Sequence, residues 1–464
     1  MQREESQADR RHFIKVAGAV SALGALHAPR VFAQAGSDHV LQLALVGAGG
    51  RGTGAAVDAL TNAGYPIKLV ALADVFPHRL QESLTALKQN FEGKPELIDV
   101  PEERQFIGFD AYKQAMDALR PGDIVIFASP LAFRWVHYQY AIDKGLHVFM
   151  EKPVVADGPT GKKMLELAKK ADEKNLKSAV GLMIRHCRGR QELHQRIQDG
   201  EIGDIVAARA YRMHGPVATC FSTAKPEGKD ELEWQIERFH SFIWASGGLF
   251  SDFYVHQIDE VCWMKNAWPV KAQALGGRHF RGDFVDQNFD AYAVEYTFDD
   301  GAVFFFDGRT MIGCRNDMSS VVLGSNGSAI VSASGHHPGK VRTFSSFGPD
   351  RDKVKWAFPQ PEESPYALEW KDFVKAIVLD EPYNEVPRGV EASLVTSMGR
   401  MAAHTGQEIT YEQMLNCPHE MAPGVADFAQ TKTAPILADK DGRYPVPNPG
   451  TERRREYAES TESA

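Results

Sequence analysis

Asp252 and His256 stand four residues apart in the run Asp252-Phe253-Tyr254-Val255-His256, so on a helix both side chains leave the same face. A carboxylate one turn from an imidazole is an acid–base pair. The carboxylate can orient the ring or hold a substrate hydroxyl, and the ring can take or give a proton. Lys152, in Glu151-Lys152-Pro153, is a second candidate. As an ammonium it stabilises a developing alkoxide; with a pKa depressed by burial it becomes a base. Plainer readings exist. Asp252, with Ser251, can cap a helix, and His256 can be a satisfied core histidine.

A third element upstream gives these groups something to act with. The strand Leu41-Gln42-Leu43-Ala44-Leu45-Val46 runs into Gly47-Ala48-Gly49-Gly50-Arg51-Gly52, a G-x-G-x-x-G turn opening an amphipathic segment. A second apolar run, 69–73, ends at Asp74, 22 residues beyond Gly52. Each part has a job in holding a dinucleotide. Gly47 allows the tight turn, Gly49 removes a side chain where backbone meets pyrophosphate, and Gly50 continues that turn. Gly52 lets helix and strand pack closely, while helix N–H groups and dipole face the phosphates. Asp74 can accept hydrogen bonds from the adenosine ribose. Its charge repels a 2′-phosphate, which favours NAD over NADP, although Arg79 is near enough to blur the choice. Arg51 either covers the pyrophosphate or adenine or stays solvated. With a nicotinamide carrying the redox chemistry, an alcohol substrate needs a base and a cation at its hydroxyl. Lys152, Asp252 and His256 supply both.

The elements that must position these residues read as two domains. At 464 residues the chain is too long for one compact core. Helical patterns at about 77–91, 110–118, 131–143 and 158–175 alternate with strand runs at 105–109, 123–128, 148–150 and 178–182. The predicted first domain, 40–185, is therefore an α/β, doubly wound parallel sheet. Glu151-Lys152-Pro153 falls at the carboxyl end of a strand, where open α/β sheets bind ligands. From about 204 the rhythm changes to hairpins. Runs 291–298 and 302–306 flank Asp299-Asp300-Gly301, and 320–323 and 329–331 flank Asn326-Gly327. The second domain, 186–385, is expected to be α+β with a large open antiparallel sheet. A helix within 386–410 is expected to pack back on the first domain. The Pro-, Gly- and charge-rich 436–464 reads as a flexible tail.

Composition narrows the function classes. A net charge of −9 leaves no basic stripe for nucleic acid. Five scattered cysteines give neither a disulfide framework nor a zinc site, so no metal is expected. The doublet His336-His337 reads as surface. Residues 1–35 read as an export signal: Arg10-Arg11-His12-Phe13-Ile14-Lys15, a short apolar stretch, then Ala33-Gln34-Ala35. The paired arginines mark the twin-arginine type, hence a periplasmic protein. No other segment reaches ~18 apolar residues, so no stable membrane insertion is expected after cleavage.

The nucleotide turn, Glu151-Lys152-Pro153, and Gly247-Gly248 followed by Asp252, His256 and Asp259 occur in this order over about 40–410. In this the chain resembles the glucose-fructose oxidoreductase/inositol dehydrogenase (Gfo/Idh/MocA) family. The resemblance implies a sugar or polyol substrate, a bound NAD or NADP and a homo-oligomer joined through the open sheet face. It implies a cis bond before Pro153. Ser129-Pro130, in place of the family's commoner Thr-Pro, should line the nicotinamide end; Glu151 should touch the nicotinamide ribose or anchor its loop. Arg185, Tyr254 and Asp259 become substrate-side candidates, with His186 and Gly276-Gly277-Arg278 behind them. Two functions follow. One is oxidation of a sugar, polyol or glycoside hydroxyl. The alternative is an NAD-dependent glycoside hydrolase or lyase that works through a transient 3-keto intermediate, with His256, Tyr254 or His214 as an extra base. The twin-arginine route carries folded proteins to a compartment without an obvious nicotinamide pool. A cofactor loaded beforehand must then be restored in each cycle, which makes the chemistry redox-neutral.

Overall fold

The structure is a computed structural model that describes residues 40–279 and 281–458. The expected export signal, 1–35, lies outside them. Six strands form the first sheet: β1 (Leu41–Val46), β2 (Ile67–Asp74), β3 (Gln105–Ile107), β4 (Ile124–Phe127), β5 (His147–Met150) and β6 (Ser178–Val180). Their order is β3-β2-β1-β4-β5-β6, and every pair is parallel. The order reverses between β1 and β4, which opens a crevice at their carboxyl ends. Helices cover both faces, and so every residue of β4 and β5 is buried. These helices are α1 (Gly50–Asn62), α2 (Pro77–Asn90), α3 (Ala111–Asp117), α4 (Arg134–Lys144) and α5 (Gly158–Glu173). α1 approaches closely because its buried face is small except for Leu60 at its end: Gly52, Ala55, Ala56 and Ala59.

The second domain adds α6 (Arg188–Gln198), α7 (Glu231–Glu237), α8 (Ile243–Ser246) and α9 (Gly248–Lys265). Its sheet contains β7 (Ile205–His214), β8 (Lys271–Gly277), β9 (Ala291–Thr297), β10 (Val303–Thr310) and β11 (Ser320–Gly324). β12 (Gly327–Ser332), β13 (Arg342–Phe344), β14 (Val354–Ala357) and β15 (Ile409–Thr410) complete it. The order is β14-β13-β12-β11-β7-β10-β9-β8-β15. Both expected hairpins, β9–β10 and β11–β12, are present. The sheet is mostly antiparallel; β7 and β10 run parallel. α9 is buried along nearly its whole length between this sheet and the first domain.

Two later helices tie the domains together. α10 (Pro365–Val378) lies on the first sheet, with Trp370 stacked on Phe149 at 4.5 Å. α11 (Val386–Thr405) touches both domains. Ser393 Oγ accepts from Val154 N at 2.9 Å, and His404 Nε2 meets Tyr292 OH at 3.0 Å. The helix expected to pack on the first domain thus bridges the two.

The C-terminal segment departs from its composition. Instead of a flexible tail, its described part, 436–458, is docked. Gln287 Nε2 donates to Pro445 O at 2.7 Å, Tyr444 OH donates to Glu231 Oε1 at 2.6 Å, and Glu456 is buried against Arg400. Counted singly, its charges look solvated; the buried partner of Glu456 is 56 residues away in sequence and leaves no local signal. Among the described residues, no helix is long and apolar enough to cross a membrane, and no cluster of His, Cys, Asp and Glu could hold a metal.

Candidate active site

The β1–α1 turn has the shape its glycines require. Gly47 has φ +94°, and a Cβ there would lie 2.4 Å from Ser129 N. A Cβ on Gly52 would lie 2.1 Å from Gly47 O. At Gly50 nothing comes within 4 Å, so the first turn of α1 faces open space. Ala48 N and Phe76 N donate to Asp74 at 2.7 and 2.9 Å, fixing the carboxylate at the end of β2. Burial raises the Asp74 pKa, and these two bonds oppose it. The crevice above has a volume of about 510 Å³ and runs from Asp74 past Ser129 to Lys152 and Asp252. Glycine cradle, open helix N-terminus and terminal acid fit a dinucleotide.

Residues from both domains wall this crevice. Arg79 Nη2 donates to Glu237 O at 3.0 Å, joining α2 to the end of α7 across the adenosine end. Arg51 Nε donates to Glu151 Oε1 at 2.6 Å, and its guanidinium lies 5.1 Å from the Tyr366 ring. Burial works against the Arg51 charge, but Glu151 and Glu369 outweigh it and raise the pKa. Arg51 is therefore held beside the crevice by carboxylates, and Glu151 anchors it. The buried Arg134 donates Nη1 to Phe127 O at 2.7 Å and Nη2 to Ser129 O at 3.0 Å, which shapes the Ser129-Pro130 turn. Ser129 Oγ meets His137 Nδ1 at 3.2 Å, and burial pushes that imidazole down to about 3, so it stays neutral.

At the far end, Lys152 Nζ donates to the Asp252 carbonyl at 2.7 Å and lies 3.7 Å from Asp252 Oδ1. The Lys152–Pro153 bond is cis. The imidazole beside Asp252 is His240, not the expected His256. His240 Nε2 is 3.4 Å from Asp252 Oδ2, and Nδ1 is 2.9 Å from Thr219 Oγ1. Its ring stacks on Phe253 at 5.4 Å. Burial lowers its pKa to about 4 despite Asp252, so the ring is neutral, and the Nε2–H tautomer satisfies both contacts. His240 lies in a short 3₁₀ turn between α7 and α8, 12 residues before Asp252, where no spacing marks it.

His256 does share the Asp252 face of α9, but four residues carry it about 6 Å further along the helix. There it is buried, its ring 4.5 Å from that of His336. His336, expected at the surface, is half-buried by this contact. Tyr254 is not a substrate residue. Two positions beyond Asp252 it points to the other side of the helix, fully buried, with its hydroxyl 3.3 Å from Thr310 Oγ1. Arg185 and Asp259 satisfy each other through bonds of 2.9 and 2.7 Å, and neither lines the crevice. His186 is likewise engaged. Burial opposes its charge, but Asp372 and Glu385 raise it to about 9. Arg278 donates to Asp286 O and Asn288 O.

Known proteins share this architecture. Residues 41–178 match the profile of the oxidoreductase family, NAD-binding Rossmann fold, and residues 190–330 that of the GFO/IDH/MocA C-terminal domain. The chain is similar to D-glucoside 3-dehydrogenase of Escherichia coli (strain K12), at 25% identity over 187 residues. That match covers 38% of this chain and 47% of the relative, so it spans about half the relative's length. Among solved structures, the aldose-aldose oxidoreductase from Caulobacter crescentus complexed with glycerol is similar, with TM-score 0.60 and 16% identity. The likeness covers 80% of this chain and 100% of that one. Scyllo-inositol dehydrogenase from Lactobacillus casei, with bound NAD(H) and scyllo-inositol, gives TM-score 0.58 and 19% identity over 81% and 100%. At such identities the solved structures show the fold alone. The two profiles, however, take in both domains in order, and the chain belongs to the GFO/IDH/MocA oxidoreductase family, its first domain the NAD-binding Rossmann fold.

Proposed function

We propose that this protein oxidises a hydroxyl of a sugar, polyol or glycoside and holds its NAD through a redox-neutral cycle. The observation that carries the reading is Lys152 Nζ, fixed by Asp252 at 2.7 Å where the dinucleotide crevice ends. A bound nicotinamide supplies the hydride acceptor and donor. Lys152 Nζ takes the hydroxyl proton as the hydride leaves the same carbon, and returns it on the reverse leg. The carbonyl and carboxylate of Asp252 hold Nζ in place and offset the charge it gains. Neutral His240 backs the carboxylate. Asp74, its carboxylate oriented by two backbone N–H groups, supports NAD over NADP.

Tight retention is supported by the cover over the adenosine end. Arg79 closes against Glu237, and α7 is braced from behind by Gln235 Nε2 donating to Ile436 O at 2.8 Å. The twin-arginine segment at 1–35 supports loading before export to the periplasm. Protein isolated from the periplasm and dialysed is expected to release close to one NAD per chain when denatured. NAD lost on dialysis, or NADP in its place, would overturn this part of the reading. The relative named a D-glucoside 3-dehydrogenase favours C3 as the oxidised carbon, which would also be the first step of the glycosidase alternative. Release of a free aglycone marks that alternative. Leu275 and Phe305, exposed on the open face of the second sheet, support pairing of two copies there.

A further inference from the structure

The walls over the adenosine end are propped from behind by the C-terminal segment. A Cβ on Gly49 would lie 3.4 Å from Arg79 Nη1, so that guanidinium crosses the glycine turn on its way to Glu237 O. Ile236 and Glu237, at the end of α7, line the crevice; no residue of 421–457 does. Glu231 and Gln235, one turn apart on another face of α7, meet the segment. Trp244 Nε1 donates to Gln235 Oε1 at 2.7 Å, and Gln235 Nε2 donates to Ile436 O. Tyr444 OH donates to Glu231 Oε1, and its ring lies 4.8 Å from that of Phe242.

The first-domain wall is backed in the same way. Phe109 and Phe133 line the crevice. The buried ring of Phe428 packs edge-on against them at 6.5 and 6.0 Å, and against Trp244 of α8 at 5.9 Å. Around it one apolar core joins three parts of the chain: Phe76 and Leu131 after β2 and β4, Ile236 of α7, and Phe428 and Ile436 of the segment. Both ends of the segment are tied down. Met421 N donates to Asp157 Oδ2 at 3.0 Å, and Glu456 pairs with Arg400. The segment lies beyond both profile-matched stretches, 41–178 and 190–330. Withdrawing an adenosine past the Arg79–Glu237 crossing requires α7 to move, and α7 moves only by breaking the core that the segment completes.

We propose that residues 421–457 are a latch that sets how long the nucleotide stays. NAD enters while the segment is undocked, docking props α7 against Arg79, and release requires undocking. This deepens the reading above and rests on its retained NAD. Docked segment and bound nucleotide then stabilise each other to the same extent.

The test follows exchange of bound NAD for isotopically labelled NAD in excess, read by mass spectrometry on full-length holoprotein. Phe428→Ala should speed release about 100-fold, as expected for truncating a buried aromatic ring. Tyr444→Phe should speed it about 10-fold, as expected for one charge-assisted hydrogen bond. Val322→Ala, which weakens the buried core at β11 away from the segment, should leave release close to wild type. In wild type, sub-denaturing urea should raise NAD release in step with amide exchange of 421–457, not with that of β4. Should Phe428→Ala fail to fold, Tyr444→Phe and the urea series still decide. Release unmoved by the segment variants, moved equally by Val322→Ala, or rising in urea while 421–457 stays protected would overturn the latch alone. Wild type that gives up its NAD on dialysis would overturn the retained cofactor as well.

Discussion

If the proposed oxidation holds, replacing Lys152 with methionine should lower kcat about 10³-fold on whichever substrate is turned over, within the range for loss of a positioned proton-transfer group. Methionine keeps the length and most of the volume of the side chain but cannot donate, accept or carry charge. The Asp252 carbonyl and carboxylate would lose the amino group that now lies 2.7 and 3.7 Å away. The nucleotide should remain bound, because its main anchors lie elsewhere: the β1–α1 turn, Asp74 and the Arg79–Glu237 closure. Nucleotide content and melting temperature measured on the same sample separate lost chemistry from lost cofactor or lost fold. Turnover within a few-fold of wild type would place the proton transfer on another residue.

The second large effect concerns the C-terminal segment. Arg400 is fully buried, with Nε and Nη2 on Glu456 at 2.8 and 2.7 Å. Its Nη1 donates to Gly247 O and Ser251 Oγ, and Nη2 also donates to Ala156 O. One guanidinium therefore ties the C-terminal segment to the start of α9 and to the loop after Lys152. Burial alone would raise the Glu456 pKa; Arg400 outweighs it and holds the carboxyl down at about 2. A depressed folded-state value means that this stabilisation is present above the unfolded pKa and is lost as pH falls towards 2. Glu456→Ala leaves a buried charge without its counterion, which costs about 3–5 kcal/mol. Thermal and urea denaturation near neutral pH should show the loss, and the deficit should shrink in acid. Unchanged stability would mean that the tail is an accessory rather than part of the core.

What the sequence made legible was local. The turn at Gly47, the apolar runs and Asp74 belong to one βαβ unit, so their spacing alone carries the geometry. Asp299-Asp300-Gly301 and Asn326-Gly327 marked hairpins for the same reason. Lys152 and Asp252 could be placed because each ends or begins a readable element. His240 could not, since its position depends on the 3₁₀ turn before α8 and on stacking against Phe253. Tyr254 lies in the core rather than at the substrate because two residues on a helix turn a side chain to the far face. Arg185 and Asp259 looked like free polar groups, 74 residues apart in sequence; in space they neutralise each other. The tail failed as a reading of composition, because one buried ion pair outweighs many solvated charges.

The most direct measurement is transfer of a carbon-bound deuteron. Holoprotein with its own NAD is mixed, in ordinary water, with sugars, sugar acids and polyols deuterated at carbon and quenched at a series of times from the first half-reaction onward, before the deuteride is returned, and the extracted nicotinamide is examined by mass spectrometry. One deuterium in the nicotinamide of wild-type protein, and none over the same time with Lys152→Met, is the expected result. Unlabelled nicotinamide from folded, NAD-loaded wild type after the whole panel would contradict oxidation of a carbohydrate hydroxyl at this site.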